Sequence, residues 1–136
     1  IPITYRHNST ELWRNGCLTS LESVTVRRGK DTRVSGISIG NTFLVSRDGE
    51  TDEIDNCVRS FAYWNPFFLT HEFLLNGETG KYLPVTLFKK NTQAGFTITI
   101  KPPSGELILN YNEDGKWIAL EAQVKDVGTM KYILAE

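Results

Sequence analysis

The sequence predicts an all-β protein, a single-domain antiparallel β-sandwich of roughly ten short strands. Three observations carry that expectation. Apolar and polar residues alternate with a period of two in short runs, most clearly in Phe96-Thr97-Ile98-Thr99-Ile100. Gly, Asn, Asp and Pro separate these runs at short intervals. Helical periodicity is weak throughout, and regularly spaced short strands belong to sandwiches and barrels. With 136 residues and no internal repeat, low-complexity tract or linker, residues 1–136 read as one domain able to bury its own core.

Each element has a local reason. Ile1 to His7 sets Ile3 and Tyr5 against Thr4 and Arg6, the pattern of a half-buried opening strand. Thr10 to Arg14 follows and ends at Asn15-Gly16, the dipeptide that most favours a tight hairpin; Ser9 to Trp13 also admits a helical reading. Val24, Thr25 and Val26 dominate Cys17 to Arg28, and Arg28-Gly29-Lys30-Asp31 turns the chain. Thr32 to Ile39 and Asn41 to Ser46 are two further strands, separated by Gly40 and closed by Arg47-Asp48-Gly49-Glu50. The central stretch supplies a strand through Ile54, Cys57 and Val58, breaks at Asn65-Pro66, where proline has no N–H for a ladder, and resumes from Phe67 to Leu75. After the turn Asn76 to Gly80 comes a strand through Tyr82, Leu83, Val85, Leu87 and Phe88. Phe96, Ile98 and Ile100 face inward on the next. Beyond Pro102-Pro103-Ser104-Gly105, Leu107, Leu109 and Tyr111 alternate as far as Asn112-Glu113-Asp114-Gly115. Lys116 to Val124 and Met130 to Leu134 complete the set, with Gly128 turning between them.

Composition narrows the function classes. A hydrophobic fraction of 40% and a charged fraction of 23% are those of an ordinary folded domain. The net charge of −1, with Lys and Arg scattered, gives no field to hold a phosphate backbone, so no nucleic-acid partner is expected. The one basic cluster, Arg27-Arg28-Gly29-Lys30 near Arg33, reads as a solvated hairpin turn. No apolar run is long enough for a membrane-spanning helix. The start at Ile1-Pro2-Ile3, without an initiator methionine, fits a processed secretory precursor, secreted or periplasmic, and equally a trimmed chain. Cys17 and Cys57 suit such a chain as a disulfide closing a loop of about forty residues, worth on the order of 4 kcal/mol in the chain-entropy model. Two unpaired thiols in a cytosolic core are the competing reading.

Chemistry concentrates in Asp52 to Leu69. This stretch holds the acidic shoulder Asp52, Glu53 and Asp55, then Cys57 and Arg59, and five rings: Phe61, Tyr63, Trp64, Phe67 and Phe68. Side chains alternate faces along a strand, so one core face cannot take consecutive Tyr63-Trp64 or Phe67-Phe68. Part of the set points outward, either under a second layer or as an apolar tip beside Asn65-Pro66 that meets a ligand. Trp117 follows the turn at Gly115 and has the same strand-end placement, one edge apolar and one wet. The material for catalysis is thin. His7 and His71 lack a metal-ligand spacing, a Cys57–His71 nucleophile pair is excluded if Cys57 is bonded, and the carboxylates read as a solvated shoulder. No phosphate loop, nucleophile elbow or dinucleotide fingerprint is present. No enzyme, cofactor or metal is expected.

The order of motifs resembles that of the aegerolysins, small β-sandwich proteins of about this length. The matching pieces are the strand ending in His7-Asn8, Lys30-Asp31-Thr32-Arg33-Val34-Ser35, the Gly40-Asn41-Thr42 turn, Ile54-Asp55-Asn56-Cys57-Val58-Arg59-Ser60 and Thr70-His71-Glu72-Phe73-Leu74. The family tends to have glycine after that cysteine, where this chain has Val58. A Trp-Asp-Cys-Pro-Trp-like segment is replaced by Leu83-Pro84-Val85-Thr86-Leu87-Phe88. The resemblance implies recognition of sphingolipid-rich membranes and, in some members, cooperation with a larger pore-forming protein.

Two other classes fit the composition. A fimbrial adhesin subunit accepts a strand at an open sheet edge, though Ile1-Pro2-Ile3-Thr4-Tyr5 is short for a donor and Pro2 suits it poorly. A carbohydrate-binding module would use Tyr63, Trp64 and Trp117 as stacking platforms. The expected function is a secreted, non-enzymatic protein binding a membrane lipid or cell-surface glycan through Tyr63, Trp64, Phe67, Phe68, Trp117 and Arg59, with or without a protein partner.

Overall fold

A computed structural model describes residues 5–69, 72–103, 105–124 and 128–133 of the chain. These contain twelve strands: β1 Tyr5–Arg14, β2 Cys17–Arg27, β3 Lys30–Ile39, β4 Thr42–Arg47, β5 Glu50–Asp55, β6 Phe73–Leu75, β7 Tyr82–Pro84, β8 Thr86–Thr92, β9 Gly95–Lys101, β10 Gly105–Asn112, β11 Trp117–Val124 and β12 Gly128–Ile133. A single 3-10 turn spans Pro66–Phe68. The strands form a five-stranded meander β1-β2-β3-β4-β5, a second five-stranded sheet β12-β11-β10-β9-β8, and the pair β6-β7. The long ladders are antiparallel, as the sequence predicts. The chain divides into two compact units, residues 1–61 with 75–82, and residues 62–74 with 83–136.

The first unit is built on tight hairpins. Asn15, Arg28 and Asp48 each take positive φ and each precedes a glycine, so three connections are two-residue turns matched to the twist of their strands. Alternation then turns Leu21, Val34, Phe43 and Val45 to one face, and the register shift opposite Leu12/Trp13 brings Leu18, three residues before Leu21, to the same face; Val58 and Leu75 join them in a core backed by Trp13, Ile54 and Tyr82. Gly36 lies under the Phe43 ring, and a Cβ there would fall 2.5 Å from it. Gly36→Ala is therefore expected to destabilise the fold by about 1–3 kcal/mol through overpacking, measurable as a lower urea midpoint with an unchanged slope.

Segments without strand structure close this unit. Leu18 N–H donates to Val58 O and Leu75 N–H to Arg59 O, each at 2.8 Å, and Ser60 forms a parallel bridge with Leu75. The Asn56 side-chain amide donates to Ser38 Oγ and the Gly40 carbonyl. Ser23, itself buried, donates its hydroxyl to Gly77 O, and Arg27 pairs with Glu78 at 2.7 Å. Cys17 and Cys57 are joined by a disulfide, the chemistry of an oxidising, extracytoplasmic compartment.

In the second unit the inward rows are Ile98 and Ile100 on β9 and Leu109 and Tyr111 on β10, with Ala122 on β11; Ala62, Leu69 and Leu74 of that unit are buried as well. Phe96 is half-buried and stacks on Tyr111, with centroids 4.9 Å apart.

Several local expectations change. The single strand expected through Tyr82, Leu83, Val85, Leu87 and Phe88 is two, β7 paired with β6 and β8 ending the second five-stranded sheet, with the break at Pro84-Val85. The two opening strands are one, β1, interrupted only by a bulge at Leu12/Trp13, and Ser9 to Trp13 is strand. Ile1 to Thr4 lies outside the described residues. The strand expected through Ile54, Cys57 and Val58 stops at Asp55, because the backbone beyond it bonds to separate partners on β2 and β6 instead of β4. The strand expected from Phe67 to Leu75 is reduced to Phe73–Leu75 behind the 3-10 turn that Pro66 begins, its fixed φ suiting that first position. No helix among the described residues is long and apolar enough to cross a membrane.

Candidate functional site

Residues 62–69 form a short loop fixed at both ends. Ala62 and Leu69 are buried, and between them Asn65 N–H donates to Ala62 O, Phe68 N–H to Asn65 O and Leu69 N–H to Pro66 O, each at 3.1 Å. The rings therefore project from a turn and a 3-10 element, not from alternating strand positions, which is why consecutive Tyr63 and Trp64 need not sit on opposite faces of a sheet.

Four of the rings predicted from the sequence come together as two pairs. Tyr63 and Trp117 lie 5.6 Å apart and tilted at 43°. Trp64 meets Phe68 edge to face at 5.5 Å, an arrangement favoured by the ring quadrupoles. Trp64 is 54% exposed, while Tyr63, Phe68 and Trp117 are half-buried. The indole N–H of Trp117 donates to Ala119 O at 2.8 Å. The Phe67 side chain lies outside what the structure describes.

One residue that holds the loop carries no motif. Tyr111, 1% exposed on β10, donates its hydroxyl to the Tyr63 carbonyl at 2.7 Å, pinning the base of the loop from the core. Burial, with the Tyr63 phenol as a second cause, holds its pKa above the ordinary tyrosine value, so it stays a donor at any physiological pH. The alternation of Leu107, Leu109 and Tyr111 places this ring inside, and a buried tyrosine hydroxyl needs an acceptor; that much is readable, but the acceptor 48 residues away is not. Lys89 Nζ stands over the Phe96 ring, 4.5 Å from its centroid.

Arg59 belongs to the first unit and donates its Nε–H to Gly16 O at 2.8 Å beside the disulfide. It latches the first hairpin turn. Asp52, Glu53 and Asp55 are exposed along β5, and among the described residues no group of His, Cys, Asp or Glu is arranged to hold a metal. Cys57 is no thiol nucleophile, being bonded to Cys17. His7 Nδ1 lies 2.7 Å from Thr25 Oγ1, and His71 is outside the described residues.

Fold and site together define a disulfide-bonded, antiparallel all-β protein that presents an aromatic loop. The chain belongs to the family DUF6134, a domain of unknown function whose model matches residues 1–135. No curated protein and no solved structure matches it.

Proposed function

We propose that this chain is a secreted, non-enzymatic binding protein that recognises a lipid membrane surface through the loop Ala62 to Leu69. The carrying observation is Trp64, an exposed indole set edge-on against Phe68 on a loop anchored by buried Ala62 and Leu69. An indole combines an apolar body with an N–H tip, and that combination favours the headgroup level of a bilayer. Fixing the loop backbone beforehand lowers the ordering cost of binding. The disulfide supports an extracytoplasmic site of action. The resemblance to aegerolysins supports sphingolipid-rich bilayers as the target and a larger pore-forming protein as a partner.

Co-sedimentation with liposomes of graded sphingolipid and sterol content tests this. Wild type is expected to sediment with a subset of compositions, and Trp64→Ala, with its fold verified by circular dichroism, to bind at least about tenfold more weakly, roughly 1.4 kcal/mol. Equal binding by the variant, or none by wild type to any composition, would overturn the proposal, and soluble glycan binding without liposome binding would favour a carbohydrate-binding module.

A further inference from the structure

The two large sheets end in edge strands of opposite charge. β5, Glu50-Thr51-Asp52-Glu53-Ile54-Asp55, is the last strand of one sheet; four of its residues are acidic and none is basic. β8, Thr86-Leu87-Phe88-Lys89-Lys90-Asn91-Thr92, is the last strand of the other, with two lysines and no acid. Every residue of β5 except Ile54 is exposed, and every residue of β8 except Leu87. Within the described residues no ion pair engages the β5 carboxylates or Lys89 and Lys90. Nor, among the described residues, does any backbone bond join either strand to a neighbour beyond its own ladder partner. Each strand thus offers a row of open N–H and C=O groups.

Charge on an edge strand ordinarily blocks pairing with its own kind. Here that rule acts selectively: β5 repels β5 and β8 repels β8, whereas β5 and β8 attract. We infer that the chain associates with a second copy of itself through antiparallel pairing of β5 of one copy with β8 of the next.

One register satisfies both charge and packing. With Asp52 opposite Lys89, Ile54 falls opposite Leu87 and Glu50 opposite Asn91, while Glu53 is diagonal to Lys90. The buried-face row Phe43–Ile54 of one copy then continues into Leu87–Ile100 of the next, and Val45–Asp52 into Lys89–Ile98. The strands have six and seven residues, so their lengths match. Because different patches meet, the contact is heterologous, and repetition gives a ring or an open chain. This association does not depend on the lipid-binding proposal.

Sedimentation velocity over a concentration series tests the inference at about 0.01 M and about 1 M salt, where the Debye length falls from about 30 Å to about 3 Å. Wild type is expected to exceed its 15.4 kDa monomer mass with rising concentration at low salt and to return towards it at high salt. Lys89→Glu with Lys90→Glu, and separately Asp52→Lys with Glu53→Lys, are each expected to remain monomeric, their folds verified by thermal melts. Mixed together they should associate again, since the first keeps an acidic β5 and the second a basic β8. A wild type that is monomeric throughout, or association that survives both reversals, or a mixture that stays monomeric, would overturn it.

Discussion

Replacing Cys17 and Cys57 together with serine is expected to lower stability by about 4 kcal/mol, and the midpoint of thermal unfolding by on the order of 10 °C. The bond closes a loop across a sequence separation of 40, and in the chain-entropy model most of its effect lies in the unfolded chain, which gains that freedom when the bond is absent. The folded state loses order beside it as well. The same corner carries Leu18 N–H to Val58 O and Arg59 Nε–H to Gly16 O, so the hairpin turn, the disulfide and the segment leading to the aromatic loop fix one another. Differential scanning calorimetry of wild type and the double variant, with wild type repeated in reductant, measures the effect. Equal midpoints in all three samples would mean that this corner holds without its bond.

Truncation of Tyr111 is expected to have an effect of similar size. Tyr111→Ala removes a ring that is 1% exposed and stacked on Phe96, and a cost of about 3–5 kcal/mol follows from the lost burial and the cavity together. Tyr111→Phe keeps the ring and removes only the bond to Tyr63 O, for about 1 kcal/mol. The phenol also gives a pH signature. Its pKa in the folded chain is raised, by burial first and by Tyr63 second, above the ordinary 10.0. Below pH 10 both states hold the proton and the contribution is fully present. As pH rises from there towards the folded pKa the unfolded chain alone loses its proton, so stability falls. Urea unfolding of wild type between neutral and strongly alkaline pH should show this loss, and Tyr111→Phe should show less of it. Identical alkaline profiles would remove Tyr111 from the account of the loop.

What the sequence made legible was local. Asn15-Gly16 and Asp48-Gly49 announced hairpins because their residues tolerate positive φ at the two central positions, and the structure puts them there. Phe96, Ile98 and Ile100 announced an inward row through strict alternation; Ile98 and Ile100 are buried, and Phe96, near the strand end, is half-buried. The pairing of Cys17 with Cys57 was legible as one of two readings, since two cysteines allow only one internal bond. The region from Asn56 to Leu69 was not legible as structure. Its Val58 and Arg59 carbonyls accept from Leu18 and Leu75, partners that no short-range pattern identifies, and Pro66 opens a 3-10 turn where the pattern predicts a resumed strand. Its rings were legible as a set that one core face cannot hold, because consecutive Tyr63-Trp64 and Phe67-Phe68 would point to opposite faces of a strand. Trp117 joins them only through the fold. Arg59 neighbours them in sequence, and its bond to Gly16 O at the first hairpin turn is not readable there.

The central claim is that Trp64 enters a lipid surface. A variant with Trp13→Phe and Trp117→Phe leaves Trp64 as the sole indole and permits a direct reading of its surroundings. Titration with sphingolipid- and sterol-containing vesicles, some carrying brominated acyl chains, is expected to shift its emission to shorter wavelength and to quench it in the brominated series. Emission that stays at its aqueous position, unquenched, at lipid concentrations where the protein sediments with the vesicles would contradict the account, because the chain would then be holding the membrane by another surface.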